Sequence, residues 1–372
     1  MKIISLSIHI LTAMFLFVMA TMTACSSEEK PTVDPIDDSL AAEPTKLKLS
    51  AGESAIVEVL SDFAFDTNSA VAKKAINNAG KPTNYAYSPL NHEMALCLLA
   101  NGLDEPQRGE LVRILGQKNL DDLNSLNTKL YKYLCDKGNG VVVSLANSVW
   151  YDNAYSLKSS YTDNMGTMYG LECFKKNFAS AQTVDEINSW AAEKTHNMID
   201  KVVNDDALGH TDMLLFNAMY FFGRWDDKFD IDKTDKQKFK GVTKSEKVHT
   251  MHKESVMVHS AVNGWQMVSE SFKTLAYECL FILPPSTGAL QDFDHEVFNS
   301  LIDNRRGREV TLSLPRFEIE SKLRTADIIA EMGLPLNNLC LTPMGFPASY
   351  SQDLRNMGQA TKIQVDEEGA RL

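Results

Sequence analysis

The sequence predicts an α+β fold, with helices packed on large, mainly antiparallel β-sheets. Three observations carry that expectation. Helical periodicity dominates the first half of the 372 residues and strand patterns the second. Segregated order of this kind, rather than strict alternation, is what α+β domains show. No second linker interrupts the body, and a hydrophobic content of 44% is ample for a large core.

The elements follow in order. "AIVEVLSDFAFDTNSAVAKKAINN" carries apolar residues at helical spacing and stops at "NNAGKP". "NYAYSPL" is a short aromatic strand broken by Pro89. "HEMALCLLANGL" and "DEPQRGELVRILG" are two short helices, the second with Pro106 in its first turn. "DDLNSLNTKLYKYLCDKGNG" is a fourth helix with a glycine-rich end. "VVVSLANSVWYD" reads as a long buried strand, and "SLKSSYTDNMGTMYG" and "TVDEINSWAAEKTHNMIDKVV" as amphipathic helices. "TDMLLFNAMYFFGRW" is a central strand, apolar on both faces. The strands "KVHTMHKESVMVHS", "WQMVSESFK" and "LAYECLFILPP" come next. Then "DFDHEVFNSLIDNRR" is a helix, "REVTLSLPRFEIES" a strand, "RTADIIAEMG" a helix, and a terminal strand runs into a charged bend.

The first residues are a separate object. Residues 1–24 combine one lysine, an apolar run and small residues before Cys25, the pattern of a secretory leader. Met22-Thr23-Ala24-Cys25 resembles a bacterial lipobox, with Met22 in place of leucine. The expectation is cleavage before Cys25, leaving a lipidated sulfur and a membrane anchor; ordinary cleavage with a spare cysteine is the alternative. Residues 25–52 are Ser, Pro and acid rich, too polar for a core, and read as a flexible tether. Ser26 and the acidic "SSEE" resemble sorting signals for the outer membrane or cell surface of a Gram-negative bacterium.

A net charge of −12 and a pI near 5.2 argue against nucleic acid as a partner. The other cysteines, 97, 135, 173, 279 and 340, are odd in number and widely spread, so free structural thiols are expected. Enzyme signatures are weak. His249 and His252 form an HxxH, but on a strand they face opposite sides and no third ligand is evident, so no metal is expected. Ser88 lacks a nucleophile elbow, and "GKPTN" lacks the P-loop spacing. No catalytic residue and no cofactor are expected.

Several segments resemble the serpins, inhibitors that trap proteases by a fold change. "NYAYSPLN", "INSWAAEKTHNMI" and "LLFNAMYFFGRWDDKFD" are similar to three family segments, and "LFILPP", "LSLPRFEIES" and "EMGL" follow in the family's order. "VDEEGA" resembles the hinge of the reactive loop, and the likeness covers about residues 53–370. The resemblance implies a bait loop held outside a five-stranded sheet. A protease cuts it, and the loop then inserts as a new strand. Glu367, Glu368, Gly369 and Ala370 match the hinge, where small residues must fit a packed core. Ser88 and Asn217 match the shutter, the polar cluster that parts under the sheet. Gln359 stands where the family has a histidine, and Trp225 matches the breach, where insertion begins. The implied partner is a serine protease, or a cysteine protease since the trap needs only an acyl-enzyme, and the implied state is a monomer.

After Ala370 only Arg371 and Leu372 follow, where the resemblance implies a long loop and closing strands. The expectation for residues 53–372 is therefore a serpin domain without reactive loop or C-terminal strands, inactive alone. It could be a truncated inhibitor, an inhibitor completed by a separate peptide, or a non-inhibitory surface-anchored binding or structural lipoprotein.

Overall fold

The computed structural model describes residues 47–372, apart from 76–79, 81–82, 137–140, 205–207, 209–210, 242–243, 274–276, 287–288, 335 and 351–356. The leader, Cys25 and most of the 25–52 tether lie outside the described residues.

Helix α1, Ala51–Lys74, starts on a capping box: the Ser50 side chain accepts from the Glu53 amide, and the Glu53 carboxylate accepts from the Ser50 amide. Helix α2, Pro89–Gly102, is capped by Ser88 with Pro89 in its first position. It is buried almost all round, which is why its apolar residues show no single stripe. Helices α3 (Gln107–Ile114), α4 (Leu120–Leu134) and α5 (Ser159–Tyr169) pack around it. Helix α6 is Ala181–Lys194, α7 is His295–Asp303 and α8 is Thr325–Glu331.

The strands form two sheets among the described residues. The first has the order β2-β1-β3-β11-β10-β9, with β1 Val142–Asp152, β2 Leu171–Lys176, β3 Met213–Arg224, β9 Phe317–Leu323, β10 Gln359–Val365 and β11 Gly369–Arg371. β1 and β2 run parallel, and every other neighbouring pair is antiparallel. The second runs β4-β5-β6-β7, from Asp235–Lys240, Ser245–Val262, Trp265–Ser271 and Glu278–Leu283. Strand β8, Arg306–Pro315, pairs with β5 beside that path.

Each face of the first sheet is covered. The main core joins Met219, Phe221, Ile319, Ile363 and Val365 to α1–α5. The opposite face packs Ala146, Trp150 and Ala218 against Ile187, Trp190 and Ala191 of α6. With apolar partners on both sides, β3 reads as the unbroken apolar run its sequence shows.

Three expectations differ from this picture. First, "NYAYSPL" forms no strand, and Ser88 and Pro89 instead open α2. "REVTLSLPRFEIES" is two strands in different sheets, β8 and β9, parted at Pro315 and Arg316; proline has no amide for the next ladder bond. The sheet also has six strands rather than five, because the hinge residues are themselves a strand inside it. The five cysteines of the body are free, and Cys97 is fully buried. No His, Cys, Asp and Glu cluster able to hold a metal occurs among the described residues, and none of their helices is long and apolar enough to cross a membrane.

Candidate functional site: a seam and its hinge

β3 is paired along one edge from Met213 to Phe222, with Val142–Tyr151 of β1. Its other edge is paired only at one end. There Gly369, Ala370 and Arg371 lie opposite Arg224, Gly223 and Phe222, and Leu372 and Phe221 exchange both backbone bonds at 2.8 Å. On its far side β11 meets β10, Ala370 opposite Val365 and Arg371 opposite Gln364. Beyond Leu372 the two strands border a cavity of about 230 Å³. It reaches from Asn91, His92 and Leu99 of α2 on one face to Trp190 and Ala191 of α6 on the other, with Leu214–Ala218 and Gln359–Ala360 as its edges.

The hinge turns back through a compact bend. The Asp366 carboxylate accepts from the amides of Glu368 at 2.9 Å and Gly369 at 3.1 Å, an Asx-type turn. It also meets the Arg371 guanidinium at 2.9 Å, both side chains nearly buried. Arg371 lies over the Phe222 ring, 4.7 Å from its centre, while Ala370 and Leu372 face the main core. Gly369 is required by contact. A Cβ there would sit 2.1 Å from the Gly223 carbonyl oxygen, closer than any side chain can approach.

Trp225 holds the bend from the side. Its indole donates to the Asp366 carbonyl at 2.9 Å, its amide to the Glu368 carbonyl at 3.0 Å, and its ring stacks on Phe272 at 4.9 Å. Glu367 is buried between the Thr234 hydroxyl at 2.7 Å and Arg316 at 2.8 Å. Glu368 pairs with Lys228. Glu367 is buried but Arg316 is partly exposed, so Glu367→Ala loses two hydrogen bonds without stranding a buried charge and is expected to cost about 2 kcal/mol. Urea unfolding of the variant, with Arg316→Ala and the double variant closing the cycle, checks this.

The three shutter residues do not all meet. Gln359 accepts from the Ser88 amide at 2.8 Å and donates to the Ser88 carbonyl at 2.9 Å, so its side chain copies a backbone strand partner. Asn217 donates instead to Asn147 at 2.6 Å, and Asn147 to the Tyr169 carbonyl at 2.7 Å. Gln359→Ala frees two buried Ser88 groups and is expected to cost about 2 kcal/mol; Gln359→Glu, at a pH where it is ionised, loses the donor and is expected to cost more. A denaturant midpoint for each checks the ranking.

Sequence reasoning missed His92. It lies at the seam's floor, 2% exposed, with Nδ1 2.7 Å from the Tyr87 hydroxyl. Its Nε2 has no protein partner, nor do the Asn91 and Asn217 side-chain oxygens, and all three residues line the cavity. Burial pulls the imidazole down to about 3, so it is neutral at physiological pH. The signal was a histidine directly after "SPLN", at the capped end of a helix otherwise apolar.

Chemically the seam offers two half-paired strand edges, a polar floor and no nucleophile–base pair. It can bind an extended backbone. A family model described as serpin, serine protease inhibitor, matches residues 58–371. Serpin-Z4 of Arabidopsis thaliana is 26% identical over 335 residues, covering 80% of this chain and 83% of that protein. Ovalbumin from emu, Dromaius novaehollandiae, superposes with a TM-score of 0.73 at 17% identity, covering 85% of this chain and 87% of that one. Tengpin, a thermophilic serpin solved in the latent state, gives 0.72 at 23% identity and 88% coverage of both. With the matched segments, the seam and the hinge all falling within that span, the chain belongs to the serpin family.

Proposed function

We propose that this protein inhibits serine-type endopeptidases by cleavage and insertion of a reactive loop into the first sheet. The observation behind this reading is that Gly369–Leu372 already lie as a strand between β3 and β10, with the seam continuing beyond them. Strand addition to that seam would satisfy the backbone groups left along both edges. A cysteine protease fits the same trap, because only an acyl-enzyme is needed.

A non-inhibitory binding role has one observation in its favour: Leu372 is a bulky inward-facing residue where a small one packs most easily. It is nevertheless seated in the main core at 6% exposure, so its bulk does not block the seam. The body works as a monomer tethered through a lipid on Cys25 to the outer membrane or cell surface of a Gram-negative bacterium.

The test is to incubate the protein, purified from its own membrane, with a panel of serine proteases. An SDS-stable complex is expected with at least one. Turnover of the protein as a substrate by every protease, without such a complex, would sink the inhibitor reading. The intact mass of the same sample tests the lipid at Cys25.

A further inference from the structure

Strand β4 is an edge strand whose alternate residues, Lys236, Lys238 and Lys240, are all exposed. Alternation places them on one face, about 6.7 Å apart along the strand. Phe239, between them, packs toward the main core, so the lysine face is the outer one. The register puts His249 opposite Lys236 and exposed Lys247 directly opposite Lys238. The two acids within the paired stretches of β4 and β5 lie on the other face. Asp235 lies on the Phe239 side, bonded to His252 at 2.9 Å, and Glu246, opposite Phe239, pairs with Lys244 at 2.8 Å.

Lysines on an edge strand discourage stray strand pairing, and that could account for β4. Lys247 and His249 lie where β5 ladders with β4 alone, but edge protection does not by itself explain why two lysines stand directly opposite each other at 238 and 247. Like charges directly opposite one another are destabilising. In a chain of net charge −12, four lysines on one flat face with His249 beside them offer a complementary surface to an anion outside the molecule.

We propose that this face docks on the anionic headgroups of the membrane to which the chain is tethered. The setting rests on the anchor reading at Cys25. On that reading the anchor keeps the body beside its own bilayer, at an effective concentration far above that of a free protein. An acidic body is repelled by such a surface everywhere except at a basic face, so the β4–β5 face would set its orientation. Lysines rather than arginines suit point-charge contact with headgroup phosphates, and among its described residues the face carries no Phe, Tyr or Trp ring on which a nucleic-acid base could stack. Phospholipid and phosphorylated glycolipid both supply the phosphate chemistry.

The experiment uses the mature chain with Cys25→Ser, which cannot be lipidated, so that the face is read without the anchor. Co-sedimentation at low salt compares vesicles of phosphatidylcholine alone, phosphatidylcholine doped with phosphatidylglycerol, and phosphatidylcholine doped with lipid A. Binding is expected only to the doped vesicles, lost on adding salt, and the stronger of the two names the source. Each lysine near an anionic surface is worth about five-fold in partitioning. K236Q/K238Q/K240Q is therefore expected to weaken binding roughly 100-fold. The charge-matched K118Q/K132Q/K201Q, on exposed lysines elsewhere, is expected to leave it unchanged, with both variants melting like the parent. Equal losses in the two variants, or no binding to either doped vesicle, would overturn the proposal. So would capture by a linear sulfated polysaccharide at charge concentrations where the vesicles bind nothing. The vesicle result does not depend on whether Cys25 is lipidated, so failure of the face and failure of the anchor are separable.

Discussion

Gly369→Ala is expected to expel β11 from the sheet. The added methyl carbon would lie 2.1 Å from the Gly223 carbonyl oxygen and 3.1 Å from the Arg224 Cα, and both are backbone of β3, fixed there by the Lys273 amide donating to the Arg224 carbonyl at 2.9 Å. The backbone cannot yield, so the strand must leave. Its departure releases the paired Leu372 and Phe221 bonds, the Asp366–Arg371 ion pair and the burial of Ala370 and Leu372 together. Hydrogen exchange at the Phe221 and Leu372 amides reads this directly. Protection is expected to fall roughly 100-fold, the equivalent of about 3 kcal/mol of local stability, while amides of β1 keep theirs. Unchanged protection would mean that β11 tolerates a Cβ and that the close approach is not what selects glycine. In the inhibition assay the same variant is expected to be cut as a substrate rather than to form a complex.

The second large effect is the part of the stability that Glu93 contributes, which is lost as pH rises through neutrality, opposite in sign to the contribution of neutral, buried His92 at lower pH. Glu93 of α2 is fully buried, and burial pushes its carboxyl up to about 7. One oxygen accepts from the Asn127 amide at 2.9 Å and from the Cys97 thiol at 3.0 Å. The other has no partner, and neither does the Asn127 side-chain oxygen. A proton on the free carboxyl oxygen makes it a donor, which is what a pair of orphaned acceptors lacks. The folded state thus binds this proton more tightly than the unfolded chain, whose value stays near 4.5. The stabilisation is complete below that unfolded value and is lost as pH rises through the folded one. The difference amounts to about 3 kcal/mol between pH 4.5 and pH 8. Glu93→Gln keeps a neutral donor in place and is expected to flatten that slope. Urea midpoints of both proteins across the pH range check it. Equal slopes would show that Glu93 is not the group responsible.

Much of the fold was legible because its signals are local. Ser88-Pro89 announces a capped helix, and the apolar run from Met213 to Phe222 announces a strand covered on both faces. The matched segments then placed Trp225 and Gly369, and the geometry gives each a contact that its residue type explains. What the sequence hid depends on partners far along the chain. Asn147 takes Asn217 away from the other shutter residues across 70 positions. Gln359 finds Ser88 across 271. Glu93 looks like a misplaced charge in an apolar helix until Asn127 and Cys97 surround it. Asp366 reads as one more acid before "EEG", yet it holds both the bend and Arg371. Lys236, Lys238 and Lys240 lie in a stretch not read as a strand, and only the register with β5 adds Lys247 and His249 to the same face.

The bend at Asp366–Glu368 has a kinetic consequence. Beginning a strand between two others is costly, since several residues lose their freedom before any ladder bond repays it. Here the loop is closed and the first rungs are formed on both sides. β11 is in that sense a nucleus, and any segment continuing from Leu372 would lengthen a ladder rather than start one. Each added residue would gain pairing against β3 and β10 with no further ring to close, as in a zipper whose slider is already engaged. Insertion rates should then depend on how easily the seam parts ahead of the growing end, at Asn217 and Gln359, and only weakly on how often the hinge finds its groove.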